Sequence, residues 1–199
     1  METSTSIFKS VPKQWILLTL ICLIPQLGEA QLRRGIVKEV VEIWGLENGQ
    51  WGNGATQGGS GAHIGNGIII TAGHVVEGAK DFRVRWEGCQ HVPETVIGIA
   101  DGSNRLEDPD VGFIRTRKIP PGYQGLKLAE GPVPRNKTLH ILGYPGHMST
   151  GFMRRKLVRL SGQYSGTHNI GFRITGTTSD GMSGGPCVDN EGTIYGILS

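Results

Sequence analysis

The stretch Ser179–Pro186, SDGMSGGP, sets Ser183 among Gly181, Gly184 and Gly185 just before a short apolar segment. A hydroxyl that is to act as a nucleophile needs exposure, and it needs backbone N–H groups close by to hold a developing oxyanion. Neighbours without side chains leave room for both. A glycine-rich turn with an incidental serine has the same letters, so the stretch decides nothing until its surroundings are read.

The letters also satisfy the GxSxG elbow of the α/β-hydrolases, and chain order separates the two possibilities. In that fold the acid and the histidine follow the serine. Here sixteen residues follow Ser183 and none is a histidine, so a base must come from upstream. The segment Gly65–Val76, GNGIIITAGHVV, supplies it. His74 ends an apolar β-branched run and opens a turn, where a strand delivers a side chain to the edge of a cleft. His63, His91, His140, His147 and His168 lack such a frame and read as surface or hydrogen-bonded structural residues.

A histidine base needs a carboxylate to fix its tautomer and to stabilise the imidazolium formed during attack. Asp110 opens DVGFIRT, an acid followed at once by a strand, which places the carboxylate at a strand mouth with Val111 and Phe113 building the wall. Asp101 and Asp108 sit in the turn-like ADGSNRLEDP, where capping or solvated roles are expected.

Around these motifs the chain is punctuated by 32 glycines and 10 prolines between short β-branched runs, as a protein of many strands and tight turns requires. Strands are expected at Ile36–Ile43, Ala62–Thr71, Phe82–Trp86, Val92–Ile99, Gly112–Arg117, Thr138–Leu142, Met153–Leu160, Ile170–Thr175 and Thr193–Leu198, with a loop over Glu47–Gly61. Short strands must close on themselves or pack face to face to bury one side, so the fold class is all-β, a barrel or sandwich. KIPPGYQG, Lys118–Gly125, interrupts the pattern and marks a divide near Pro120.

Residues 1–30 read as a signal peptide. Lys9 and Lys13 precede an apolar run from Trp15 to Pro25, and Gly28 and Ala30 put small residues before the cut. That run falls short of the roughly 20 apolar residues a spanning helix needs, so no membrane anchor is expected after cleavage. Export, whether extracellular or periplasmic, would remove Cys22 and leave Cys89 and Cys187, for which one disulfide is possible and none is required. A formal charge of +3 argues against a nucleic-acid partner, and the basic cluster Arg154, Arg155, Lys156 and Arg159 reads as a solvated edge. No HExxH pair and no cysteine cluster calls for a metal, so neither metal nor other cofactor is expected. Asn136 begins a glycosylation acceptor triplet.

Together GSGAHIGNGIIITAGHVV, DPDVGFIRT, LHILGYPG and TTSDGMSGGPCVDNEGTIYGILS resemble the trypsin-like serine peptidases, closest in motifs to the HtrA and glutamyl-endopeptidase branch. The resemblance covers residues 59–199, after an approach segment at 31–58. It implies a chymotrypsin-like double antiparallel β-barrel and hydrolysis of protein or peptide substrates. His74 would be the general base, Asp110 its orienting acid and Ser183 the nucleophile, with the N–H groups of Gly181 and Ser183 as oxyanion hole. Thr177, Asp180 and Ser199 would form the substrate pocket. Thr177 on its floor offers no acid to a basic side chain, which leaves small or aliphatic residues as the expected preference.

Four departures from the pattern are informative. Met182 stands where cleavage-activated members carry an acid, so activity should not depend on cleavage at Arg33–Val37, RRGIV. Val75 replaces the cysteine that commonly follows the histidine, and no PDZ-like region follows. Members of the family also continue beyond the GILS match, so a truncated C-terminus is expected. A secreted binding protein on the same fold and an esterase-like hydrolase are the two other functions compatible with these residues.

Overall fold

The structure, a computed structural model, describes residues 34–47, 50–51, 58–77, 81–87, 89, 95–100, 110–146, 157–168 and 171–199. The leader, His91, Asp101, Asp108, His147 and the cluster 154–156 lie outside them.

Seven strands form the first sheet: β1 (Val40–Glu47), β2 (Gln50–Trp51), β3 (Gly58–His63), β4 (Ile68–Thr71), β5 (Asp81–Trp86), β6 (Thr95–Ala100) and β7 (Gly112–Arg115). The order is β2-β1-β3-β4-β7-β6-β5, and β1 also pairs with β5, which closes six of the strands into an antiparallel barrel. Val41, Ile43, Ile69, Phe82, Val84, Trp86 and Ile114 fill its interior. The strand period of two decides which residues point there. On β7, Gly112 and Ile114 are buried whereas Phe113 is 37% exposed, so Ile114 builds the wall expected of Phe113.

The second sheet holds β8 (Lys127–Leu128), β9 (Thr138–Gly143), β10 (Val158–His168), β11 (Gly171–Ile174), β12 (Pro186–Val188) and β13 (Thr193–Ile197), in the order β11-β10-β9-β12-β13-β8. Its pairings are antiparallel except β8 with β13. No pairing among the described residues joins β11 to β8, so this sheet curls without closing. The two sheets give the chymotrypsin-like double β-barrel. A third core, with Ile36, Val40, Ala62, Ile70, Leu126, Leu142, Tyr144, Val188 and Ile194, draws on both sheets and binds them together.

Several expected elements come out differently. Residues 34–38 form a helical turn, and Ile36 packs into the core between the sheets. The single run expected over Ala62–Thr71 is a hairpin, because Gly65, Asn66 and Gly67 all take positive φ and turn the chain. Gly58–Gly61, assigned to a loop, is the first part of β3. The small residues are needed there: a side chain at Gly61 would lie 2.8 Å from Ile43 and Ile69 atoms inside the barrel. Cys89 and Cys187 are both free thiols. They cannot bridge because Cys89 packs against the first barrel and Cys187 is buried in the core of the second.

His63 and Glu39 show how this fold buries charge. Glu39 is 2% exposed and accepts from His63 Nδ1 (2.8 Å) and from the Gln124 N–H (2.9 Å), while His63 Nε2 accepts from the Gly67 N–H (3.3 Å). Burial acts to raise the Glu39 pKa, but these donors outweigh it and hold the carboxyl below its ordinary value of 4.5. A depressed folded-state pKa gives stability that is present above the unfolded value and is lost as pH falls through the folded one. Glu39→Gln should therefore lower the melting temperature at pH 7 and flatten its further fall between pH 5 and about pH 3, as followed by circular dichroism.

Candidate active site

The register of the first barrel brings Asp110 to His74. β4 and β7 run antiparallel with Thr71 opposite Gly112, so the residues just beyond β4 face those just before β7. The chain leaves β4 at Ala72 and turns into a one-turn helix, Gly73–Val76, which buries Val75 and Val76 and leaves His74 exposed. Gly112 allows the approach, since a side chain there would lie 2.5 Å from Val76 and 3.2 Å from the Ala72 carbonyl. The His74 backbone N–H donates to Asp110 Oδ1 (2.8 Å), and His74 Nδ1 lies 2.5 Å from Asp110 Oδ2.

Ser199 joins this pair: its hydroxyl donates to Asp110 Oδ2 (2.6 Å). Burial works to raise the Asp110 pKa, but the hydrogen bonds from Ser199 and from both His74 groups hold the carboxyl below its ordinary value of 3.8. It is therefore ionised at neutral pH and fixes the proton of neutral His74 on Nδ1, leaving Nε2 as the acceptor.

The turn Ser179–Gly185 carries Ser183 to the junction of the barrels. Gly181 (φ 85°) and Gly184 (φ 80°) occupy left-handed backbone that a side chain would strain. At Gly184 a side chain would also lie 2.1 Å from Thr71 Oγ1 and 2.2 Å from the Ser60 carbonyl. The first barrel thus touches the turn right beside the serine, one residue before the chain turns toward His74. The Ser183 carbonyl accepts from the Ser60 N–H (2.8 Å), and the Gly184 N–H donates to Leu198 (2.6 Å). Met182, 1% exposed, anchors the turn in the second core with Leu139, Ile141 and Cys187.

Among the described residues, the N–H groups of Gly181 and Ser183 donate to no protein acceptor. The Ser183 hydroxyl and His74 Nε2 likewise have no protein partner there. A groove of about 690 Å³ begins at Asp110 and Ser199 and runs between β11 and β13 over Phe172, Cys187, Ile194 and Tyr195, and neither His74 nor Ser183 lines it. Of the residues expected in a substrate pocket, Ser199 lines this groove, whereas Thr177 and Asp180 are exposed and do not.

Sequence reasoning missed two contacts here, one made by Ser199, expected only to line the pocket, and one made by Ser60. Ser199 touches the carboxylate, a contact between residues 89 positions apart. Ser60 touches the serine turn across 121 positions. No local pattern announces either contact.

Comparison with known proteins agrees with this architecture. The model of the trypsin-like peptidase domain matches residues 59–197, and the chain belongs to that family of serine peptidases. In fold it is similar to the active form of the Rv3671c protease of M. tuberculosis (TM-score 0.63, 21% identity, 87% of this chain and 74% of that one). It is similar also to a serine endoprotease of Yersinia pestis (TM-score 0.63, 19% identity, 85% of this chain and 56% of that one). An uncharacterized protein of Sinorhizobium fredii, y4bJ, is 25% identical over 150 residues, and the match spans 73% of this chain but 22% of that protein.

Proposed function

We propose that this chain is an exported serine endopeptidase that cleaves peptide bonds through His74, Asp110 and Ser183. The observation that carries the reading is the Asp110–His74 pair beside a serine turn whose hydroxyl and two N–H groups have no protein partner among the described residues. His74 Nε2 takes the Ser183 proton as Oγ bonds to the substrate carbonyl carbon. The carbonyl π pair moves to its oxygen, which the Gly181 and Ser183 N–H groups receive. Collapse expels the amine, which takes the proton from His74 and leaves an acyl-enzyme. Water, deprotonated in turn by His74, then releases the acid and restores Ser183.

Met182 supports activity that does not await a cleaved N-terminus. Its position before the serine offers no carboxylate to pair with a freed amine, and its side chain is already committed to the core. Export rests on the leader reading of residues 1–30, and among the described residues no helix is long and apolar enough to cross a membrane. A small or aliphatic side chain before the scissile bond is the proposed preference, which peptide-library profiling would read directly.

The test is covalent labelling of the purified chain with a fluorophosphonate probe, followed by mass mapping. Stoichiometric labelling on Ser183 is expected. A folded chain left unlabelled, or labelled elsewhere, overturns the proposal.

A further inference from the structure

Ser60 is fully buried on β3 and makes four hydrogen bonds, three of them outside its own sheet. Its N–H donates to the Ser183 carbonyl (2.8 Å) and its carbonyl accepts from Thr71 Oγ1 (2.7 Å). Its hydroxyl donates to the Gly181 carbonyl (2.9 Å) and accepts from the Tyr144 N–H (2.9 Å). We infer that Ser60 is a positioning residue for the oxyanion hole, its hydroxyl holding the peptide plane that sets the two N–H donors at a fixed angle. The inference rests on the peptidase reading above.

The argument follows three consecutive peptide planes. In a trans peptide the C=O and the N–H point in opposite directions, so pinning the carbonyl aims the N–H. The plane 180–181 carries the Gly181 N–H, and its carbonyl, on Asp180, accepts from the Gly146 N–H (2.6 Å). The plane 182–183 carries the Ser183 N–H, and its carbonyl, on Met182, accepts from the Gly185 N–H (2.9 Å). Between them lies the plane 181–182, which presents a carbonyl to Ser60 and an N–H to the Ser179 carbonyl (3.1 Å).

The middle plane decides how the outer two stand to one another. Gly181, at φ 85° and with no side chain, is the residue about which that plane turns most easily. The contact to Ser179 is local to the turn and moves with it. Ser60 belongs to the other barrel, and its backbone is fixed by β3, by Thr71 and by Ser183 itself. Its hydroxyl therefore references the middle plane to the same strand that references the nucleophile. Without it the Gly181 carbonyl and the Tyr144 N–H lose a buried partner, and rotating the plane toward water relieves the loss. The two donors would then no longer converge.

The experiment uses the full chain and its Ser60→Ala and Ser60→Thr variants, with active-site titration by a fluorophosphonate probe. The final amplitude counts folded, nucleophile-competent sites, and the rate constant per site reports oxyanion stabilisation. For Ser60→Ala the rate per site should fall about 10- to 100-fold, since a misplaced group near the reacting centre can cost on that order. The pH midpoint of labelling should not move, because the His74–Asp110 pair is untouched. Ser60→Thr keeps the hydroxyl and should stay within about threefold of wild type. A merely structural residue gives the reverse pattern, a lowered amplitude with an unchanged rate per site, and that result overturns the inference, as does Ser60→Ala labelling at the wild-type rate. Wild-type chain that does not label at all overturns the peptidase reading and the role of Ser60 with it.

Discussion

Ser183→Ala is expected to lower peptide-bond turnover by about five to six orders of magnitude and to abolish fluorophosphonate labelling, while the chain folds as before. The size of the loss follows from triad members acting as a unit: without the oxygen no acyl-enzyme forms, and His74 has no proton to take. What survives is transition-state stabilisation by the Gly181 and Ser183 N–H groups, both backbone and both retained in the variant. The fold is spared because the Ser183 hydroxyl holds no protein partner among the described residues; the turn is held by the Ser183 carbonyl on the Ser60 N–H, by Gly184 on Leu198 and by Met182 in the core. The melting temperature should therefore stay within a few degrees of wild type, as a change of about 0.5 kcal/mol or less implies. Turnover kept at one part in a hundred, with labelling lost, would place the hydrolytic chemistry elsewhere.

How much of this was legible in the sequence follows from what is local. Alternation and turn residues are local signals, so the all-β class and most strands could be read from the chain. Ile68–Thr71 and Gly112–Arg115 are short runs bounded by glycine and charge. The errors arose where a signal was local but two structures share it. The apolar ends of Ala62–Thr71 suggest one strand, yet Gly65, Asn66 and Gly67 between them are a turn signal and, all at positive φ, fold it into a hairpin. Ile36 suits a strand by propensity, but burial between the barrels holds it in a helical turn.

The site divides in the same way. His74, Asp110 and Ser183 each sit in a recognisable local frame, and the apolar β-branched run before it singles His74 out among six histidines that all precede Ser183. Ser60 and Ser199 sit in no such frame, because what matters about them is the closure of the barrel and the meeting of β3, β13 and the serine turn. Contacts spanning 121 and 89 residues are set by register, which one strand cannot reveal. Thr177 and Asp180, pocket residues only by the resemblance, are both exposed and do not line the groove.

Asp110→Asn is expected to lower turnover about 10⁴-fold with little change in fold, and the reason is a tautomer. In the native pair Oδ1 accepts from the His74 backbone N–H and Oδ2 faces both His74 Nδ1 and the Ser199 hydroxyl. Both oxygens act as acceptors, which is why the carboxyl stays ionised and why Nδ1 carries the proton. Asparagine has only one acceptor oxygen. Kept on the backbone N–H, where the donor cannot change, it turns its amide NH₂ toward Nδ1, which must then be the acceptor. The imidazole proton moves to Nε2, and the atom that should receive the Ser183 proton becomes a donor. The nucleophile, the groove and the N–H groups of Gly181 and Ser183 are all intact in this variant, so exhaustive fluorophosphonate labelling should still approach one site per chain, at a greatly reduced rate. The linkage sign gives a second readout. A depressed carboxyl contributes stability above its unfolded value that is lost as pH falls, so the variant should lose less stability than wild type between pH 5 and about pH 3. Turnover within tenfold of wild type would mean that Asp110 does not orient His74, whatever their separation of 2.5 Å.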